Sequence, residues 1–179
     1  MVRRRAAREL ALKVLYAVDV GRADPEKELE YAALSEYLGK GLSPETVAFC
    51  RGLVAGTLAS AKDIDDRIRE LAREWSLWRM AAVDRNVLRM AIYEMLNLED
   101  IPYSVSINEA VELAKKYGTE ESGRFVNGIL GNLAKGLPPK SEPGAQAETE
   151  EEPESGEPGR EAGEQVASPL PPPPVPGAR

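Results

Sequence analysis

Apolar residues recur every three or four positions through almost all of residues 4–136, and no segment alternates convincingly with a period of two. This spacing is typical of amphipathic helices, whereas a half-buried strand needs strict alternation. We therefore predict an all-α fold with about seven helices. The short connections between consecutive helices favour a helical bundle. The sequence contains no repeat of fixed period, which argues against a solenoid.

Capping residues predict where several of these helices begin. Two starts combine an N-cap with a proline in the first helical position, at Asp24-Pro25 and at Ser43-Pro44. Another start is predicted at a capping box of Ser106 and Glu109. The remaining starts are predicted at Arg4, Asp63, Val83 and Thr119.

Residues 138–179 differ in composition from the rest of the chain. Residues 1–137 hold 20 Lys and Arg against 21 Asp and Glu, a net charge of −1, while residues 138–179 hold 3 against 9, a net charge of −6. Glu, Pro and Gly dominate this C-terminal part, which cannot bury enough apolar surface to offset the entropy of ordering. We predict a folded domain over residues 1–137 and a disordered acidic tail over residues 138–179.

The residue types that are missing argue against catalysis. The chain has no histidine, which removes the usual general base and the commonest zinc ligand. No Gly-rich phosphate loop is present, and the single cysteine, Cys50, cannot form an internal disulfide. No apolar run approaches the ~18 residues of a membrane span, and charged residues follow the first arginines where a signal peptide would be apolar. We predict a cytoplasmic protein that is not an enzyme, uses no cofactor or metal, and has no membrane contact.

The first helix opens with an unusual concentration of positive charge. At about 100° per residue, Arg4, Arg5 and Arg8 are expected away from the apolar face, with Leu12 and Tyr16 continuing their side. Arginine binds phosphate and can stack on bases, and tyrosine offers a stacking surface for unpaired bases. Cations at a helix N-terminus also interact unfavourably with the helix dipole. This small loss of stability suggests that the arginines serve a function that offsets it. The alternative is a solvated helix start, with Leu12 and Tyr16 packed on a neighbouring helix.

Two further segments leave structural and functional interpretations open. In INEAVELAKKYGTEESGRFVNGIL, the capping box accounts for Glu109, and Glu112 with Lys116 is an ordinary i, i+4 pair, so we predict no catalytic carboxylates. Phe125 has the spacing of a core residue, while its neighbours Arg124 and Asn127 could contact RNA. In WSLWRMAA, the two tryptophans Trp75 and Trp78 are predicted to be core or hinge residues, although an exposed tryptophan could anchor a protein partner.

Three stretches of the chain resemble the NusB family of bacterial transcription antitermination factors. They are RRRAARELALKVLY, VLRMAIYEML and IPYSVSINEAVELAKKYGTEESGRFVNGIL, and the resemblance covers essentially all of residues 3–136. It implies two small helical bundles stacked together. It also implies binding to boxA-type single-stranded RNA of ribosomal RNA leader transcripts, jointly with the ribosomal small-subunit protein NusE. The pair would help assemble an antitermination complex with other Nus factors on RNA polymerase.

The resemblance also implies which residues contact RNA. The arginine-rich start matches the family's RNA-binding motif, and the FVNG segment and the end of the first helix match further family positions. Ala6 and Ala7 interrupt the arginine run where relatives can carry more charge, and Gly123 replaces a larger polar residue of some relatives. The acidic tail lies outside the family pattern. The implied RNA-binding residues are Arg3, Arg4, Arg5, Arg8, Tyr16, Arg124, Phe125 and Asn127.

Other functions remain open at this point. The chain could be a protein-interaction module whose arginines pair with an acidic partner or with its own tail. It could also be a fragment of a ribosomal RNA methyltransferase that carries a NusB-like RNA-binding domain. A homodimer is a further open possibility for the assembly. For the RNA-binding hypothesis, four arginine contacts predict a salt slope of about −2 to −3, at ~0.7 per single-strand phosphate contact.

Overall fold

The computed structural model describes residues 2–40, 42–72 and 76–140. Within these ranges the chain forms seven α-helices, one turn of 3-10 helix and no strand, which confirms the all-α prediction. In the same ranges, no helix combines the length and the apolar character that a membrane span requires. The helices are α1 (Arg4–Gly21), α2 (Pro25–Lys40), α3 (Pro44–Ala59), α4 (Ala61–Leu71), α5 (Ala82–Asn97), α6 (Tyr103–Tyr117) and α7 (Ser122–Lys135), and the 3-10 turn is Leu77–Arg79.

The helices form two stacked bundles, as the family resemblance implies. Helices α1, α2 and α3 pack together at the N-terminal end, and α4 to α7 form the second bundle. The two are joined where α1 and α3 lie against α5. Helix α5 is accordingly buried along most of its length, with Val87, Leu88, Ile92 and Met95 fully inaccessible to solvent.

Both predicted N-caps next to a proline are present. The Asp24 carboxylate accepts a hydrogen bond from the Lys27 amide at 3.0 Å at the start of α2. The Ser43 hydroxyl accepts one from the Thr46 amide at 3.3 Å at the start of α3. Helix α1 ends at Gly21, and the left-handed residue that follows is Arg22, with φ of 52°.

The predicted capping box is wrong. Helix α6 begins at Tyr103, one turn earlier, after Pro102. Ser106 therefore lies inside the helix, where its hydroxyl donates to Glu94 at 2.6 Å, and Glu109 binds Arg5 instead of a backbone amide. Pro102 is the N-cap residue, with an extended backbone (ψ of 146°), so the helix begins at Tyr103 and both polar side chains are left for tertiary contacts.

Three other local predictions also need correction. Helix α4 begins at Ala61, so Asp63 lies in its first turn and does not cap it. Helix α7 begins at Ser122, whose hydroxyl accepts a hydrogen bond from the Thr119 amide at 2.9 Å. The predicted pair of Glu112 with Lys116 is absent, because Glu112 binds Lys115 at 2.9 Å and Lys116 binds Glu9 of α1. Lys116 is therefore paired with a carboxylate of α1 instead of with one of its own helix.

Residues 138–140 follow α7 and pack against the second bundle. The Tyr103 hydroxyl donates to the Pro138 carbonyl at 3.0 Å. The Lys140 ammonium donates to the carbonyls of Leu98 at 2.7 Å and Ile101 at 2.9 Å, and burial lowers the pKa of Lys140. We call residues 138–140 the C-terminal clamp. The rest of the predicted tail, residues 141–179, lies outside the described residues, as does Trp75.

Candidate nucleic-acid interface

The N-terminus of helix α1 carries the positive end of the helix dipole, and no residue of α1 neutralises it. No acidic residue lies in its first turn, and no side chain caps its N-terminus. The amide of Arg3 donates to the Thr46 hydroxyl at 3.0 Å, which fixes the start of α1 against α3. The side chains of Arg3, Arg4 and Arg5 are exposed there, and we call them the arginine surface. A helix N-terminus already attracts anions through its dipole, so these arginines reinforce an existing positive potential.

The arginine surface is held by ion pairs that water can reach. Arg4 binds Asp100 at 2.6 Å, with 44% and 62% of the two side chains exposed. Arg5 binds Glu109 through two nitrogens, at 3.0 and 2.6 Å. The Arg4 guanidinium also lies 5.4 Å from the centre of the Phe49 ring. An exposed pair contributes only about 0–1 kcal/mol, so Arg4 can exchange the Asp100 carboxylate for a phosphate at small cost. The Arg5 side chain is 67% exposed, whereas its partner Glu109 is only 16% exposed.

The expectation that Arg8 shares this exposed side is wrong. Arg8 is 4% exposed, and its Nε and Nη2 atoms donate to the Glu94 carboxylate at 2.8 and 3.0 Å. Leu12, one turn further along, is buried as well. Helices α3 and α5 both pack on α1, so its buried face is wider than the apolar stripe of a surface helix. Arg8 is thus a buried residue beneath the arginine surface.

Tyr16 is exposed as predicted, at 41%, but it lies far from the arginine surface. Eleven residues separate it from Arg5, about 17 Å along the helix axis. Asp19, three residues beyond Tyr16, binds Arg85 of α5 at 2.6 Å. Although burial opposes ionisation of Asp19, the hydrogen bonds from Arg85 and Asn86 prevail and lower its pKa. Tyr16 therefore lies towards the C-terminal end of α1, where Asp19 binds Arg85 of α5.

Trp78 occupies an exposed position at that end of the molecule. It is 68% exposed, so of the predicted core or hinge positions the core is wrong. The Arg85 guanidinium lies 5.4 Å from the centre of its ring. Arg85 is itself held by Asp19 and by the carbonyls of Leu77 and Met80. These contacts support a large aromatic ring in water, which is the arrangement expected of a binding anchor.

An open cleft of about 540 Å³ includes in its lining Arg79, the residue that follows Trp78 in the sequence. We call it the Asp84 cleft, because the Asp84 side chain lies in its wall, 8% exposed, with an Oδ1 atom that accepts no hydrogen bond from the described residues. A buried oxygen without a partner costs about 1–3 kcal/mol, so a donor from a bound molecule would relieve that cost. The cleft is lined by Arg79, Met80, Ala81, Asp84, Thr119, Glu121, Ser122, Arg124 and Phe125.

Two of the three predicted site residues of α7, Arg124 and Phe125, line this cleft. Phe125 is half-buried in its wall, which reconciles its core spacing with a role in binding. Arg124 is exposed and pairs with Glu121 at 3.4 Å, and Asn127 is exposed on the following turn. The predicted residues thus form two surfaces, with Arg3, Arg4 and Arg5 at the start of α1 and Arg124, Phe125 and Asn127 on α7.

Comparison with known proteins decides the family. The model of the NusB family matches residues 5–135, most of the described chain. The chain belongs to the NusB family. The transcription antitermination protein NusB of Heliobacterium modesticaldum is 54% identical over 134 residues, which cover 75% of this chain but only 63% of that relative. The NusB protein of Pelotomaculum thermopropionicum is 53% identical over 130 residues, 73% of this chain and 88% of the relative.

Solved structures of NusB proteins share the fold. NusB of T. maritima is 42% identical and superimposes with a TM-score of 0.69, covering 75% of this chain and 93% of that one. A second match is the crystal structure of antitermination factors NusB and NusE in complex with double-stranded RNA. It is 28% identical, with a TM-score of 0.68 over 76% of this chain and all of that chain. The family predicted from the sequence is confirmed, and with it the class of function, transcription antitermination.

No sequence pattern singles out Asp84, although it lines the cleft. An aspartate near a helix start is normally explained by the helix dipole, and only the three-dimensional packing leaves its Oδ1 atom without a donor. Within residues 2–40, 42–72 and 76–140, no group of three or more Cys, Asp and Glu side chains is arranged to hold a metal ion.

The pair of Arg5 with Glu109 makes the NusB-family arginine surface sensitive to acid. The hydrogen bond from Arg5 lowers the pKa of Glu109, so the pair stabilises the fold above the ordinary carboxyl pKa of about 4.3. That contribution is lost as the pH falls through the lowered pKa of the folded state. We expect Arg5→Ala to raise the pKa of Glu109, measured by NMR titration of its carboxyl carbon. The control Lys115→Ala removes the partner of Glu112 and should leave Glu109 unchanged; equal titration curves in all three proteins would contradict the pairing.

Proposed function

We propose that this chain is a non-catalytic, RNA-binding transcription antitermination factor. It binds boxA-type single-stranded RNA of ribosomal RNA leader transcripts together with the ribosomal protein NusE. The complex then helps assemble the antitermination machinery on RNA polymerase with other Nus factors. The observation that carries the proposal is the arginine surface, three exposed arginines at an uncapped helix N-terminus, in a family with a solved NusB and NusE complex on RNA.

The arginine surface supplies the phosphate contacts in this proposal. Arg3, Arg4 and Arg5 are exposed, and a guanidinium group binds a phosphate through two parallel hydrogen bonds. Arg8 has a different task, because its buried pair with Glu94 holds α1 against α5 and so positions the three exposed side chains. Arg8 is therefore a positioning residue in this account, whereas the sequence predicts it as a contact.

Phe125 and its neighbours extend the RNA site. An aromatic ring at the edge of an open cleft can stack on an unpaired base, which contributes about 1–3 kcal/mol per base. Arg124 and Asn127, both exposed, flank that ring with hydrogen-bond donors. Tyr16 lies near Asp19 and away from the arginine surface, so an RNA that contacts both must extend along α1.

Trp78 and the Asp84 cleft are proposed as the surface for NusE. Tryptophan is enriched near the centre of protein interfaces. Trp78 is exposed, and Arg79, which follows it in the sequence, lines the cleft. The Oδ1 atom of Asp84 is buried and accepts no hydrogen bond from the described residues, so an N–H donor of a protein partner would reach it only after the wall of the cleft moves. Because Arg124 and Phe125 line the same cleft, NusE bound there and an RNA base stacked on Phe125 would lie side by side at α7.

Fluorescence anisotropy with labelled RNA tests the proposal. A boxA-like single strand, a scrambled strand and a duplex of the same sequence are titrated with the full chain, with and without a NusE protein. We expect the boxA-like single strand to bind most tightly, and to bind more tightly still with NusE. Equal weak binding of all three RNAs, with no response to NusE, would instead indicate a protein-interaction module with a nonspecific basic surface.

The salt dependence of this binding identifies the arginines that contact phosphate. With three exposed arginines, the plot of log K against log salt is expected to have a slope of about −2. Arg4→Ala and Arg5→Ala should each reduce the steepness of that slope by about 0.7. Lys62→Ala is the control, since Lys62 is an exposed cation of α4 paired with Asp66. Unchanged slopes in both arginine variants would remove the arginine surface from the RNA site.

A further inference from the structure

The turn between α5 and α6 brings a carboxylate to the arginine surface. It runs from Leu98 to Ile101, and the Ile101 amide donates to the Leu98 carbonyl at 3.3 Å. Asp100, the third residue of this turn, accepts a hydrogen bond from Nη2 of Arg4 at 2.6 Å. The two residues are 96 positions apart in the sequence. The contact therefore joins the second bundle to the start of α1.

Three contacts fix the turn that carries Asp100. The Lys140 ammonium of the C-terminal clamp donates to the carbonyls at both ends of the turn, Leu98 at 2.7 Å and Ile101 at 2.9 Å. The Leu98 amide donates to the Glu94 carbonyl at 3.0 Å, and Ile101 is only 1% exposed. Lys140 also lies at the C-terminal end of α5, where the helix dipole favours a cation. Asp100 is thus held in position before any ligand binds.

Asp100 and a phosphate require the same atom of Arg4. A guanidinium group binds a phosphate through two parallel hydrogen bonds, either from Nε with Nη2 or from Nη1 with Nη2. Both arrangements use Nη2, which donates to Asp100 in this structure. A phosphate that binds Arg4 in either way must therefore displace the Asp100 carboxylate.

The surroundings of Arg4 permit this displacement. The Arg4 and Asp100 side chains are 44% and 62% exposed, so a phosphate can approach the pair from water. The Arg4 guanidinium also lies 5.4 Å from the centre of the Phe49 ring of α3. This second contact does not involve Asp100, so it can hold the guanidinium in place when the carboxylate is replaced.

The neighbouring pair of Arg5 and Glu109 is less suited to exchange. Arg5 donates to the Glu109 carboxylate from Nε at 3.0 Å and from Nη2 at 2.6 Å. The Glu109 side chain is 16% exposed, so less water can replace Arg5 around its carboxylate. Asp100, with a single donor from Arg4 and an open side chain, is the carboxylate of the two that a phosphate displaces more easily.

We propose that Asp100 is a built-in competitor of RNA for Arg4. It occupies Nη2 of Arg4 when RNA is absent, and a phosphate of the bound RNA displaces it. The competitor lowers the affinity of the arginine surface for RNA, because the ion pair must break before Arg4 binds phosphate. This inference rests on the proposed function, which supplies RNA as the ligand. The exchange at Arg4 is nevertheless measurable with inorganic phosphate alone.

Neutralising Asp100 tests the competitor. Asp100→Asn keeps the size of the side chain and removes its charge, so we expect labelled RNA to bind about two- to fivefold more tightly, the range of an exposed ion pair. The matched control is Glu99→Gln, the same change at the adjacent exposed residue of the turn. It should alter the affinity less than about 1.5-fold at about 0.15 M salt, where charges without direct contact are screened. Equal affinities for RNA in these two variants would overturn the proposal.

The gain must also depend on Arg4. In a chain that already carries Arg4→Ala, no guanidinium remains to be released from Asp100. The effect of adding Asp100→Asn should then fall to that of the Glu99→Gln control, because the two positions act through one ion pair. A gain of the same size with and without Arg4 would show that Asp100 acts only through its general charge, which would contradict the competition.

Inorganic phosphate measures the exchange without RNA. The NMR signals of the Arg4 guanidinium are followed as phosphate is added at constant ionic strength. We expect half-saturation at a phosphate concentration about two- to fivefold lower in Asp100→Asn than in the original chain, and no change in Glu99→Gln. Identical titrations of the Asp100→Asn and original chains would overturn the competitor.

The two proposals can fail separately. If the boxA-like strand is preferred but Asp100→Asn brings no gain, the competitor is overturned and the proposed function stands. If Asp100→Asn tightens the binding of boxA-like and scrambled strands alike and neither is preferred, the proposed function fails. The competition of Asp100 with phosphate for Arg4 then stands.

Discussion

Replacing Glu94 with alanine is expected to lower the free energy of unfolding by about 3–5 kcal/mol. The Glu94 carboxylate accepts two hydrogen bonds from Arg8 of α1 and one from Ser106 of α6. Both ionic side chains are almost fully buried, at 5% and 2% exposed. Removing the carboxylate leaves the Arg8 guanidinium without its buried partner, which is costly because the charge has little access to water. Urea denaturation followed by circular dichroism measures the loss.

Two further variants separate the charge from the packing. Glu112→Ala removes a carboxylate that is paired with Lys115 in water, so its effect should stay within about 0.5 kcal/mol. The double change Arg8→Met with Glu94→Leu replaces the buried pair by apolar side chains and should recover most of the lost stability. A loss below about 1 kcal/mol for Glu94→Ala would show that the pair does not hold the two bundles together.

Replacing Trp78 with alanine is expected to weaken the binding of NusE about thirtyfold or more, the effect of losing an interface hot spot of at least ~2 kcal/mol. Trp78 is 68% exposed, so a partner can cover most of its surface. Its ring is already oriented by Arg85, and a preoriented side chain loses little freedom on binding. Isothermal titration with a NusE protein measures the affinity.

The stability of this variant provides the control. An exposed side chain contributes little to folding, so the free energy of unfolding should change by less than about 1 kcal/mol, including the lost contact with Arg85. Val105→Ala offers a comparison, since Val105 is an exposed apolar residue of α6 outside the Asp84 cleft. An affinity for NusE within twofold of the original chain would place the partner elsewhere.

Local sequence signals predict the helices well and their tertiary contacts poorly. Asp24 and Ser43 cap their helices as expected, because a cap involves residues three positions apart. Ser106 and Glu109 have the same spacing yet bind Glu94 and Arg5. Nothing within the segment itself shows that a carboxylate of α5 and a guanidinium of α1 lie close by, so the local pattern gives the wrong partners.

In the candidate site too, local patterns predict some positions correctly and miss those that depend on tertiary contacts. Arg4 and Arg5 are exposed as periodicity predicts. Arg8 is buried against α5, where it binds Glu94, a residue 86 positions away in the sequence that no local pattern reveals. The family resemblance supplies Phe125, which periodicity alone assigns to the core. Neither periodicity nor the family resemblance points to Asp84, because only the tertiary packing shows that its Oδ1 atom has no hydrogen-bond donor among the described residues.

Helix α1 runs unbroken for 18 residues, about 27 Å, from the arginine surface to the Asp19 contact with Arg85. In the proposed function it is a rigid spacer that carries a nucleic acid at one end and lies beside a protein at the other. Thermodynamic reciprocity then applies to the two ligands: whatever factor NusE adds to the affinity for RNA, RNA must add to the affinity for NusE. Neither molecule can act as the regulator of the other without being regulated in return.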